Sequence, residues 1–215
     1  MSVIKAKGIV LKEIDSGESG KTLIILAEGI GRIIASARGA KKVTGKLFSA
    51  SEVFTCGEYC FYQGKGFYSV TQAEVIEKFY NIRNDVEKLA YACYFSDMIS
   101  ESLFDGMEAD DILHLLLRTL TVLSKTDIPP HLAARVFELR FLKLMGFASE
   151  EPEEVMPLSK DARDAVSYIL TAQESRVFAF RASEEVLSEI ALYTSNRIVF
   201  YIGKRFKSLD FAEEF

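Results

Sequence analysis

The chain has 215 residues, 49% of them hydrophobic and 27% charged, with 13 Gly and 4 Pro. This is the composition of a packed globular protein, and it excludes a disordered, collagen-like or low-complexity chain. The net charge of −5 hides an asymmetry: residues 1–80 carry 11 basic and 8 acidic side chains, residues 81–215 carry 15 and 23.

The first 80 residues predict β structure, in runs of Ile, Val, Leu, Phe and Tyr cut by Gly-containing turns. The runs are Val3–Ile14, Thr22–Ala27, Arg32–Arg38, Glu52–Tyr62 and Phe67–Val75. Glu28-Gly-Ile-Gly31 and Gln63-Gly-Lys-Gly66 have the composition of hairpin turns. In the third run Ile33, Ala35 and Ala37 share one face, and Arg32, Ile34, Ser36 and Arg38 share the other. That alternation predicts a half-buried strand with a mostly polar, cationic outer face. Five short antiparallel strands favour a small closed barrel, because closure removes exposed edges, and the OB-fold is the common five-stranded solution.

Beyond residue 80 the pattern is helical. Asn84 is the expected N-cap of a first helix, and Asp85–Phe104 contains no Gly or Pro. Its apolar residues lie nearly all round, which predicts a central, buried helix. Asp110 and Asp111 open a second helix to about Lys125, and Pro129-Pro130 a third that ends at Gly146. Ser159 caps a fourth, and Ser183 a fifth to about Phe206. Between the third and fourth lies an acidic loop with two prolines, Ser149-Glu-Glu-Pro-Glu-Glu-Val-Met-Pro157. The predicted class is α+β: residues 1–80 form a five-stranded OB-fold β-barrel and residues 81–215 an all-helical domain.

The longest apolar run, Leu89–Phe95, is far short of the roughly 18 residues that span a bilayer. The first seven residues place lysines where a signal peptide needs its apolar core. The expectation is a cytoplasmic protein with no membrane partner. Cys56, Cys60 and Cys93, with His114 and His131, offer neither a disulfide framework nor zinc spacing nor a nucleophile–base pair, so no metal and no cofactor are expected. Gly17-Glu-Ser-Gly20-Lys21-Thr22 resembles a phosphate loop, but Asp15 stands where its first glycine belongs and a β-branched run follows instead of a helix. Asp110/Asp111 and Glu184/Glu185 fall in first turns of helices, where carboxylates complement the dipole. Of Phe54, Tyr59, Phe61, Tyr62, Phe67 and Tyr68, alternation sends about half into the core, and outward ones beside lysines could stack on bases. No catalytic constellation remains, and no enzyme is expected.

The stretch from Gly29 to Ser51 holds Arg32, Arg38, Lys41, Lys42 and Lys46 and no acidic residue. A mildly acidic protein can present one basic face to a polyanion. With Lys21, these cations are the candidate nucleic-acid-binding residues, expected on one side of the barrel. Lys204, Arg205 and Lys207 form a weaker second candidate, better explained as a solvated helix end.

Lys7-Gly-Ile-Val-Leu11, the Gly17–Thr22 loop, the strand ending in Arg38-Gly-Ala-Lys-Lys42, and Glu138-Leu-Arg-Phe-Leu-Lys-Leu-Met-Gly-Phe147 occur in that order. Together they resemble RecO, the bacterial recombination mediator family, over residues 1–147. The resemblance implies an OB-fold joined to a helical domain, without catalytic turnover, working in the cytoplasm at the nucleoid. It also implies binding of single- and double-stranded DNA, annealing of complementary strands, interaction with single-stranded DNA-binding protein, and loading of RecA together with RecR. Many members carry four zinc-binding cysteines after the Gly-Phe that ends the third helix. Residues 148–215 contain no cysteine, so the resemblance carries no zinc module over to this chain. The competing expectation is an OB-fold/helical adaptor that binds only proteins.

Overall fold

The computed structural model describes residues 2–148 and 158–214; the acidic loop 149–157 lies outside the described residues. Five strands form a closed barrel in the order β1-β2-β3-β5-β4, with β1 Ser2–Ser16, β2 Gly20–Ala27, β3 Gly31–Ala37, β4 Cys56–Gln63 and β5 Tyr68–Glu77. The long β1 serves two neighbours. Ser2–Ile9 pairs with β4, and Gly8–Ser16 pairs with β2, with a break in register between Val10 and Lys12. Such an irregularity bends the strand and increases its twist, which lets one strand wrap a small barrel. A short parallel pairing, Ala35 with Tyr68 and Ser36 with Ser69, completes the ring.

Alternation fills the interior. Leu23, Ile25 and Ala27 of β2 meet Ile33, Ala35 and Ala37 of β3, Tyr59 and Phe61 of β4, and Val70 of β5. Burying each of the larger side chains contributes roughly 1.5–3 kcal/mol. Leu47 and Ala50, in and beside a 3₁₀ turn at Ser49–Ser51, close over this core. The Tyr59 hydroxyl donates to the Ala50 carbonyl at 2.8 Å and the Thr55 carbonyl at 3.1 Å. The fourth strand thus begins at Cys56, later than the apolar run from Glu52 predicts, because the 3₁₀ turn and Phe54, at φ 65°, take up the intervening chain.

Among the described residues six α-helices follow: α1 Val86–Ser102, α2 Asp110–Lys125, α3 Pro130–Leu144, α4 Lys160–Thr171, α5 Glu184–Ile202 and α6 Lys207–Ala212. Ser159 and Ser183 cap α4 and α5 as expected, accepting from the Ala162 and Val186 amides. The expected cap at Asn84 falls instead in a 3₁₀ turn, Tyr80–Asn84. Asp85 caps α1, its carboxylate accepting from the Lys88 amide at 3.1 Å. The fifth helix stops at Ile202, ahead of Gly203, and α6 is a separate turn of chain.

The chain divides into two compact units. One runs through Tyr80 and takes in Ser96–His114; the other comprises Asn81–Phe95 and the chain from Leu115 onward. The barrel unit therefore includes the second half of α1 and the start of α2. In the helical unit, α3 is buried from Leu132 to Leu139. Phe137 stacks between Phe95 at 4.2 Å and Phe141 at 5.9 Å. Within that core Glu138 accepts from Arg135 at 2.8 Å, Tyr94 at 3.0 Å and Thr194 at 2.6 Å.

Candidate nucleic-acid interface

Strand pairing decides which connections share an end of the barrel. Lys21 pairs with Ala37, Ala35 with Tyr68, and Tyr68 with Gln63. With strands about 4.8 Å apart, that row places the β1–β2 connection, the end of β3 and the β4–β5 connection side by side. At the other end Gly31 pairs with Ala27, Ala27 with Gly8 and Gly8 with Gly57. The β2–β3 turn lies there. OB-folds use the first end, with the outer face of β2 and β3, to hold oligonucleotides.

The six candidate cations separate into two groups. Lys21 bonds Glu13 at 2.6 Å, Lys41 bonds Asp15 at 2.9 Å, and Arg32 is paired with Asp105. Arg38, Lys42 and Lys46 are exposed, and no carboxylate lies within ion-pair distance of them among the described residues. Arg38, expected as the last residue of the third run, lies instead in the turn after Ala37, and Arg32 stands at the opposite end of β3. Its carbonyl accepts from the Gly106 amide at 3.0 Å, and its guanidinium meets the carboxylate one residue earlier. The six cations expected together thus divide: Lys21, Lys41 and Arg32 hold carboxylates, and Arg38, Lys42 and Lys46 hold none among the described residues. Arg32 belongs to the internal structure of the barrel unit.

A hollow of about 410 Å³ opens between the β1–β2 connection and the end of β3, bordered by Lys21, Ser36, Arg38 and the backbone from Gly17 to Gly20. The Gly17–Thr22 segment thus joins two strands and leads into no helix, so it lacks the helix N-terminus on which a phosphate loop depends. Glu18 also borders the hollow. On the β4–β5 connection Lys65 is exposed, and Phe67, half-exposed, packs against Tyr62 at 6.3 Å between ring centres. Lys65 was not among the candidates from sequence. A lysine between Gly64 and Gly66 marks it as a turn residue, but only the parallel β3–β5 pairing brings that turn beside Arg38. Of the other aromatic candidates, Phe54, Tyr59 and Phe61 are buried and Tyr62 and Tyr68 half-buried.

The tail cations lie at the break between α5 and α6. Arg205 bonds Asp210 at 2.7 Å, and Lys204 stands over the Phe206 ring at 5.8 Å. Among the described residues, no group of three or more His, Cys, Asp or Glu side chains is placed to hold a metal ion, and no helix is long and apolar enough to cross a membrane.

Residues 1–79 match the family model described as the N-terminal domain of recombination protein O, and residues 83–151 match that of its C-terminal domain. A DNA repair protein RecO from Acetivibrio thermocellus is 31% identical, over 99% of this chain and 97% of that protein. One from Clostridium perfringens is 27% identical over 98% and 97%. One from Clostridium novyi is 31% identical over 68% of this chain and 57% of that protein. A closed five-stranded barrel followed by helices, two adjoining family matches and a relative aligned end to end agree: the chain belongs to the RecO family of DNA repair and recombination proteins.

Proposed function

We propose that the chain is a non-enzymatic recombination mediator that binds single- and double-stranded DNA without sequence preference through the end of its barrel that carries Arg38, Lys42 and Lys46. In this reading it anneals complementary strands, and with RecR helps load RecA onto DNA coated by single-stranded DNA-binding protein. The observation that carries it is the exposed set Arg38, Lys42 and Lys46, which has no counter-charge among the described residues, on a barrel of the OB class. Cations so placed neutralise phosphates, and phosphate contacts give affinity and orientation without reading bases. Two strands held on such a surface lose mutual repulsion and can pair. The helical unit would serve as a platform for protein partners.

The test is binding of a single-stranded oligonucleotide at two salt concentrations. Three phosphate contacts predict a slope of about −2 in log affinity against log salt. The Arg38→Glu, Lys42→Glu, Lys46→Glu triple variant should bind at least about tenfold more weakly with a flatter slope, while its circular dichroism and melting temperature stay unchanged. Salt-independent binding, or none, would leave the protein-only adaptor as the better reading. An equal slope in the triple variant would move the interface elsewhere.

A further inference from the structure

The loop from Arg38 to Phe48 carries Arg38, Lys42 and Lys46, which have no ion-pair partner among the described residues, yet Lys41 within it is turned back onto the barrel. Its ammonium bonds the Asp15 carboxylate at 2.9 Å and the Gly17 carbonyl at 3.4 Å, and its backbone amide donates to the Ser19 carbonyl at 3.0 Å. One residue thus makes one contact to the end of β1 and two to the β1–β2 connection. Beyond it the loop is tightly coiled: the Lys42 amide donates to the Gly39 carbonyl at 3.1 Å, the Gly45 amide to the Lys42 carbonyl at 2.7 Å, and the Phe48 amide to the Gly45 carbonyl at 3.0 Å. A side chain at Gly45 would crowd the Gly39 and Lys42 carbonyls. Lys42 and Lys46 therefore sit on a compact coil whose attachment to the neighbouring connection runs through Lys41.

We propose that Lys41 is a positioning residue and not a phosphate ligand: with Asp15 it clamps the cation-bearing loop onto the β1–β2 connection, so that Arg38, Lys42 and Lys46 meet DNA as one preformed surface. This rests on the DNA-binding reading above. A loop held in its binding geometry loses less freedom when the ligand arrives, which is where such a clamp adds affinity. Asp15, a carboxylate beside a polyanion site, then has a reason to be there, since it holds the loop at the cost of some local repulsion.

The sign of one substitution separates the two roles. If Lys41 were a phosphate ligand, Asp15→Asn would free its ammonium, remove a repelling charge and tighten binding. If Lys41 positions the loop, Asp15→Asn weakens binding of a labelled single-stranded oligonucleotide by about two- to fivefold, as loss of a surface pair does. Lys41→Met weakens it comparably, and the exchange Asp15→Lys with Lys41→Asp, which leaves net charge unaltered, restores affinity to within about twofold. A second readout needs no DNA. Amide exchange across residues 39–48 should quicken in Asp15→Asn and return in the exchanged pair, because the pair holds the loop closed. Tighter binding by Asp15→Asn, or unchanged exchange in it, overturns the clamp alone. Failure of the unaltered protein to bind DNA overturns the underlying reading and the clamp with it.

Discussion

The two ends of the barrel treat the same side chains differently. Arg32 stands near the start of β3 and Arg38 in the turn directly after its last residue, Ala37, so the two lie at opposite ends of the strand. At the Arg32 end the fold supplies partners: Asp105 for the guanidinium, Asp110 for the Gly29 amide at 2.8 Å, and His114 within 4.0 Å of Glu28. At the Arg38 end, Arg38, Lys42 and Lys46 have no such partner among the described residues. Charge alone therefore does not mark a binding surface. The proposed binding surface is set apart by cations that no carboxylate compensates among the described residues.

The helical unit holds the limiting case of internal compensation, and it sharpens the contrast with the largest expected effect. Arg135 and Glu138 are 4% and 1% exposed and bond each other at 2.8 Å. Glu138→Leu leaves a buried guanidinium without that counter-charge and removes the acceptor of the Tyr94 hydroxyl, while Thr194 keeps the Ala191 carbonyl, so it should cost about 3–5 kcal/mol in denaturant unfolding. Replacing both, Arg135→Leu with Glu138→Leu, should recover at least about 2 kcal/mol of that loss, because a buried pair contributes little over an apolar filling. The pair also has a pH signature. Burial pushes the Glu138 carboxyl above the ordinary value of 4.5, against the opposing pull of Arg135, Thr194 and Tyr94. A carboxyl that holds its proton more tightly when folded contributes stability that is full below that ordinary value and lost as pH rises through the raised one. The double variant should lack that decline. A double variant as unstable as Glu138→Leu alone would mean that the pair, not its halves, supports the core.

The glycines of the two barrel ends give the next comparison. Gly31 lies at φ 84°, and a Cβ there would overlap the Met107 carbonyl; Gly17 lies at φ 63° with nothing within 4 Å. Both substitutions to Ala carry the left-handed backbone cost, but only Gly31 adds a backbone clash. Gly31→Ala should destabilise by about 2–3 kcal/mol and Gly17→Ala by about 1 kcal/mol, measured by thermal or urea unfolding. Equal losses would show that the close approach of Met107 relaxes without cost and that the compensated end is no more rigid than the open one.

How much of this was legible in the sequence follows the range of the interactions. Alternation along β3, the turns at Glu28–Gly31 and Gln63–Gly66, and the serine caps at Ser159 and Ser183 are local, and the residues carry them on their face. The start of β4 was misplaced because Glu52–Thr55 is as apolar and β-branched as a strand, while its turn depends on Tyr59 holding the carbonyls of Ala50 and Thr55. The cap at Asp85 was placed one residue early because Asn and Asp serve equally well there. For the candidate interface, the cationic stretch was visible but its division was not. Asp105 lies 73 residues from Arg32, and no periodicity connects them. Asp15 is close to Lys41 in sequence, yet the pairing arises only when β1 and β2 fold back and Lys41 returns from the far end of β3.

The smallest expected effect bears most directly on the contrast along β3. Arg32→Gln and Arg38→Gln remove the same charge from the two ends of β3, Arg32 within the strand and Arg38 in the turn after it. Arg32→Gln breaks a pair whose carboxylate is largely exposed, so solvent screening limits the loss of stability to less than about 1 kcal/mol, and oligonucleotide affinity should not change. Arg38→Gln should leave stability alone, weaken affinity and reduce the salt slope by roughly 0.7, the share of one phosphate contact on single-stranded DNA. The two measurements cross, which is what makes the pair informative: a general loss of positive potential would weaken binding in both variants, and a general loss of packing would destabilise both. Equal loss of affinity in the two would show that DNA runs the length of β3 and displaces Asp105 from Arg32, and the division of the barrel into a compensated end and an open one would not hold.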